Sequence, residues 1–97
     1  VHWEPYDPSW LVALAREQAP EEPSLARSLS DCTTCFRKSP AYVYFVDPTN
    51  PNQPGSAWQF RENFVLEHPV RGDIVLDILK DGRVGGIEFL DEVIAQP

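Results

Sequence analysis

The sequence predicts an α+β domain in which N-terminal helices pack on one face of an antiparallel sheet of about four strands. Three observations predict it. All five Gly lie from Gly55 onward, while four of the ten Pro fall within the first 24 residues. Proline suits the first turn of a helix and glycine the tight turns between strands, so the front reads as helical and the back as β-rich. The apolar spacing changes accordingly, from a helical period to near alternation. Helices that precede a run of strands, instead of alternating with it, then point to α+β. Ninety-seven residues hold one such domain, 1–97, with helices over about 8–31 and sheet over about 41–90.

Asp7 followed by Pro8 reads as an N-cap and a first helical position. Trp10, Leu11, Leu14 and Ala15 then share a face, which gives a helix over about 8–18. Pro20 ends it, and Pro23 opens a second helix with Leu25, Ala26 and Leu29 on one side, stopping near Asp31. Ala41 to Val46, dense in aromatic and β-branched residues between Pro40 and Asp47-Pro48, reads as a buried strand. Three Pro and two Asn make Asp47 to Ser56 a long surface loop. Trp58, Phe60, Phe64 and Leu66 then alternate with polar residues and predict a strand with its even positions in the core. Glu62 breaks that alternation, and is expected at an edge or paired with Arg61 or Arg71.

His68 to Gly72 makes a turn around Pro69, and Asp73 to Leu79 a strand with Ile74, Leu76 and Ile78 inward and Asp77 outward. Asp81-Gly82 predicts a type I′ hairpin. Arg83 to Leu90 returns as the last strand, with a bulge or close backbone approach at Gly85-Gly86. Asp91 to Ala95 gives one helical turn. No repeat or low-complexity segment is present. A single sheet covered on one side leaves an open face, and edge strands where a partner can add or dock.

Charge and composition narrow the function. Fifteen acids against eight bases leave a net charge of −7. Nucleic-acid binding needs clustered Lys and Arg, so no nucleic-acid partner is expected. The longest apolar run, Trp10 to Ala15, is far shorter than the ~20 residues of a membrane helix, and no secretory signal is visible. A cytoplasmic, membrane-free protein is the expectation. The sequence begins at Val1 and contains no Met, so it is expected to lack its natural start.

Cys32-Thr33-Thr34-Cys35 is the only motif with a reaction attached. A redox pair wants its first Cys at a helix N-terminus in a βαβ unit, and a structural zinc wants four ligands. This pair follows a predicted helix, and only His2 and His68 remain to complete a metal set. Two buried small residues are the favoured reading, with metal or ligand binding at Cys32 and Cys35 as the alternative. His2 and His68 are expected in solvent. No nucleophile elbow, phosphate loop or zinc-protease helix is present, and Glu62 and Glu67 fall on opposite strand faces. No enzyme and no cofactor is implied.

Placement of the acids is more informative. Residues 73–97 carry Asp73, Asp77, Asp81, Glu88, Asp91 and Glu92 against Lys80 and Arg83. Asp73, Asp77, Glu88, Asp91 and Glu92 are the candidate partner-binding residues, with Asp77 and Glu88 sharing the outer face of the hairpin. Such a surface either keeps a small protein soluble or steers a basic protein to it. Tyr42, Tyr44 or Trp58 would supply an aromatic anchor.

Asp73-Ile74-Val75-Leu76-Asp77, Asp81-Gly82-Arg83-Val84 and Gly86-Ile87-Glu88-Phe89-Leu90 together resemble the terminal hairpin of a family of small bacterial domains of uncharacterised function. The likeness leaves out the helical front and the Cys pair. Some of those domains look like the antitoxin halves of toxin–antitoxin pairs, so the resemblance implies a binding role and carries over no catalytic residue. The resulting expectation is a non-enzymatic immunity protein or antitoxin that covers the basic, nuclease-like site of a cognate toxin by protein–protein contact.

Overall fold

The computed structural model describes residues 2–95 and is α+β, with one six-stranded antiparallel sheet. The elements are β1 (Glu4–Pro5), α1 (Ser9–Gln18), α2 (Pro23–Ser30), β2 (Thr34–Ser39), β3 (Tyr42–Tyr44), β4 (Phe60–His68), β5 (Gly72–Leu79), β6 (Val84–Phe89) and α3 (Leu90–Ala95). Across the sheet the order is β1-β2-β3-β6-β5-β4, so β1 and β4 are its edges.

The helices form where the apolar spacing predicts. α1 follows Pro8, and the Asp7 carboxylate accepts the Ser9 N–H at 3.0 Å, which occupies one of the free donors of the first turn. It buries Leu11, Val12 and Ala15. Pro23 starts α2, whose Leu25, Ala26 and Leu29 are buried. Both helices cover the sheet face that presents Cys35, Val43, Leu66, Ile74, Leu76, Ile87 and Phe89, and these residues make one core.

The strand expectations need three corrections. Six strands form instead of four, because β1 and β2 join the sheet on the far side of β3. β1 is two residues long, too short for a pattern, and β2 buries only Cys35 fully. The predicted strand at Ala41–Val46 shortens to Tyr42–Tyr44, because the Phe45 and Val46 N–H groups both turn to the Gly85 carbonyl. A register shift between Phe60 and Glu62 breaks the even-position alternation, so Trp58 and Phe60 leave the helix-covered core. They join Val46, Leu79 and Tyr44 in a second cluster. Glu62 is exposed on this edge strand, 3.8 Å from Arg61, as expected of it.

The β5–β6 turn is a hairpin of another type than predicted. Only Gly82 has positive φ (+89°), and its N–H reaches the Leu79 carbonyl at 2.9 Å. A type I turn closed by a left-handed glycine satisfies both facts and spares Asp81 a positive φ. Gly85-Gly86 marks a close approach, as predicted. A Cβ at Gly85 would lie 2.6 Å from the Trp58 ring, and the β5–β6 register shifts beside it.

Candidate interaction surface

Helices cover one face of the sheet, and the other carries most of the candidate functional residues. The register builds that open face in rows. Phe36 lies opposite Tyr44, Tyr44 opposite Gly86, Gly86 opposite Asp77 and Asp77 opposite Asn63, which crosses five strands. The next row runs Tyr42, Glu88, Val75, Val65, and the one after it pairs Asp73 with Glu67. Residues paired directly across an antiparallel sheet share a face, so these side chains form one surface.

Its first part is aromatic. The Trp3 and Phe36 rings are 6.2 Å apart, Phe36 stacks on Tyr44 at 6.0 Å, and Tyr44 lies 4.6 Å from Tyr42. Trp58, near the end of the 47–59 loop, meets Tyr44 edge-on at 5.6 Å and is buried with Val46 and Leu79. Each such pair adds about 0.5–1.5 kcal/mol beyond the area it buries. Gly86 makes the arrangement possible. A Cβ there would lie 2.9 Å from the Val43 carbonyl oxygen, 3.2 Å from the Tyr42 ring and 3.3 Å from the Tyr44 ring.

Beneath the tyrosines sits Asp77, the one buried charged residue of the described chain, at 7% exposure. Its carboxylate accepts the Tyr42 hydroxyl on Oδ2 and the Asn63 amide on Oδ1, the latter at 2.7 Å. Burial pushes its carboxyl above the usual range, while the two donors pull the other way. Burial first, then the neighbouring carboxylate, holds the Tyr42 phenol protonated far above its ordinary range. The phenol proton is therefore held toward Asp77, and the trio fixes the Tyr42 ring in place.

The structure separates the five candidate acids. Asp73 and Glu88 lie half-buried on the open face, with exposed Glu67 beside Asp73. Asp77 shares that face with Glu88, as the hairpin predicts, but the tyrosine cover removes it from the surface. Asp91 and Glu92 are exposed in the first turn of α3, where acids suit the helix dipole. Asp91 is packed so close to Gly72 that a Cβ at that position would overlap its carboxylate. None of Glu67, Asp73, Asp77 or Glu88 has an ion-pair partner among the described residues.

Of the expected anchors, Tyr44 is half-buried, Tyr42 is half-buried and tied to Asp77, and Trp58 is buried. The accessible anchors that sequence reasoning missed are Trp3 and Phe36, because neither belongs to a recognisable strand pattern. His2 is exposed as expected, whereas His68 is half-buried. Its Nδ1 accepts the N–H groups of Val70 and Arg71 at 3.1 and 3.0 Å, and its ring meets Trp10 edge-on. That turn-closing role explains why it leaves solvent.

Cys32 and Cys35 are free, buried thiols. Burial, with Asp31 adding to it, pushes Cys32 up to about 12, so its reactive thiolate is scarce at neutral pH. Among the described residues no group of three or more His, Cys, Asp or Glu is disposed to hold a metal, and no helix is long and apolar enough to cross a membrane. No protein-family model, curated protein or solved structure matches this chain.

Proposed function

We propose that the chain is a non-enzymatic binding module that docks a basic partner protein on the open face of its sheet. The observation that carries this reading is the juxtaposition on one surface of a continuous aromatic row, Trp3-Phe36-Tyr44, with the acids Glu67, Asp73 and Glu88, which have no ion-pair partner among the described residues. Aromatic side chains bury large area at little conformational cost, and they accept cationic groups on their faces. Carboxylates without a cation of their own gain most from one supplied by a partner. The net charge of −7 adds long-range attraction that raises the rate of encounter.

In its finer form the partner is a toxin whose basic, nucleic-acid-binding site is covered by this face, the chain acting as antitoxin or immunity protein. The polyanionic surface and the resemblance of the C-terminal hairpin support that form.

The test is kinetic, using a candidate basic nuclease toxin as partner. Replacing both Asp73 and Glu88 by Lys is expected to slow association about tenfold at low salt and to flatten its salt dependence. Tyr44→Ala is expected to speed dissociation instead, by about tenfold for an anchor. Wild-type rates in both variants would overturn the reading.

A further inference from the structure

Beyond the open face, the β4 edge is a second and differently built surface. β4 is nine residues long and, among the described residues, has no strand on its outer side. Its end is already occupied. The Gln18 side-chain amide donates to the Glu67 carbonyl at 2.6 Å and accepts the Glu67 N–H at 2.8 Å, as a neighbouring strand would. Those bonds show that the Glu67 backbone groups point outward, and antiparallel pairing alternates, so those of Asn63 and Val65 point outward too. The beginning of the strand is guarded by the register shift at Phe60/Glu62 and by the charges of Arg61 and Glu62. Between these two guards Asn63 and Val65 present four main-chain groups without a partner among the described residues.

Below this stretch lies a cleft of about 460 Å³ between α2 and the β4–β5 side of the sheet. Leu25, Phe64 and Ile78 give it apolar lining. Its two arginines each have an acid of the cleft beside them, Glu62 at 3.8 Å from Arg61 and Asp81 at 2.7 Å from Arg83. Glu22 and Asp31 also line it and have no ion-pair partner among the described residues. The cleft therefore carries surplus negative charge over an apolar floor, which fits the stem and head of a lysine or arginine.

We infer that the β4 edge takes a short extended segment of a protein as an added antiparallel strand, with one basic side chain entering the cleft. The register sets the arrangement. Two residues of the segment pair with Val65 and Asn63 on the open-face side, and the residue between them, opposite Phe64, faces the cleft. Main-chain bonds supply general affinity and the cleft selects the side chain, the usual division in strand addition.

The probe is a blocked pentapeptide, Thr-Val-Lys-Val-Thr, titrated into the full chain by NMR. Amide shifts are expected at residues 63–65 of β4 and around Glu22 and Asp31. Affinity is expected to fall by about tenfold or more when both valines are N-methylated, when the lysine is replaced by glutamate, or in Val65→Pro. Proline is tolerated at an edge-strand N–H that faces solvent, so this variant keeps the fold while removing one outward donor. Reversing Glu22 and Asp31 to Lys touches no backbone and is expected to switch preference to the glutamate peptide. Equal binding of the two peptides, full binding by Val65→Pro, shifts centred on Tyr44 and Glu88, or no binding at millimolar peptide would each overturn the inference. So would self-association abolished by Val65→Pro, which would make a second copy the occupant. The Asp73→Lys/Glu88→Lys variant keeps its peptide affinity if the edge is the site, so failure of the open-face reading shows separately.

Discussion

Neighbouring residues of β5 look onto two different environments. Leu76 is wholly buried among the side chains of α1, α2 and the inner sheet face, whereas Val75 and Asp77 face the side that no helix covers. On the inner side the fully buried side chains are all hydrophobic, with side-chain hydrogen bonds at a few places such as Cys32 Sγ to the Ser28 carbonyl and the Trp10 indole to the Tyr6 hydroxyl. On the outer side the cover is made of rings stacked along the surface, with a carboxylate beneath them held by two donors. The inner face sets which fold is stable. The outer face is stabilised by contacts that leave ring faces and acids accessible, and a partner can extend those contacts without disturbing the core.

The largest effect that tests this contrast is on the inner side. Leu76→Ala is expected to cost about 2–5 kcal/mol in urea unfolding, because the emptied space is enclosed on all sides. Val65→Ala, half exposed on the open face, is expected to stay within about 0.5 kcal/mol. Equal losses would erase the distinction between the faces. Gly86→Ala comes next, at about 1–3 kcal/mol, since a backbone oxygen and two rings crowd the new methyl group. Its signature is a changed near-ultraviolet dichroism from the displaced tyrosines.

Tyr42→Phe sharpens the contrast further. It leaves Asp77 Oδ2 without its donor while keeping the ring, and about 1–2 kcal/mol is expected in denaturant unfolding. The smallest effect is a pH dependence. The Asp77 carboxyl is raised in the folded state, so between its unfolded and folded values the native chain binds more protons. Wild-type stability should therefore fall, relative to Asp77→Asn, as pH rises from the ordinary carboxylate range through the folded value. Parallel pH profiles for the two proteins would show that burial does not govern this residue.

Legibility in the sequence followed local periodicity and failed where distant segments meet. α1 and α2 were readable because Pro8, Pro20 and Pro23 punctuate a helical spacing. β5 and β6 were readable through alternation and the Gly82 turn. β2 was not, since Phe36 and Cys35 stand beside Arg37 and Lys38 without an alternating pattern. Alternation alone puts Trp58 and Phe60 on the inner face, and the one irregularity at Phe60/Glu62 reverses every position before it. The acids were legible as residues and their burial was not. Asp77 is covered by Tyr42, 35 positions away, and bonded by Asn63, 14 away, and neither separation leaves a trace in local pattern.

The three tryptophans have different surroundings, which gives the molecule its own optical reporters. Trp58, at the end of the 47–59 loop, is buried against Leu79 and Gly85, Trp10 stacks on Phe89 and meets His68, and Trp3 stands 39% exposed beside Phe36. Emission from an exposed indole is red-shifted and open to quenching by iodide, while a buried one is shielded. Occupation of the open face would then blue-shift and protect the Trp3 signal, leaving Trp10 as an internal reference and Trp58 as a monitor of the loop. Docking, loop release and global unfolding thus become separable by fluorescence of the unlabelled chain.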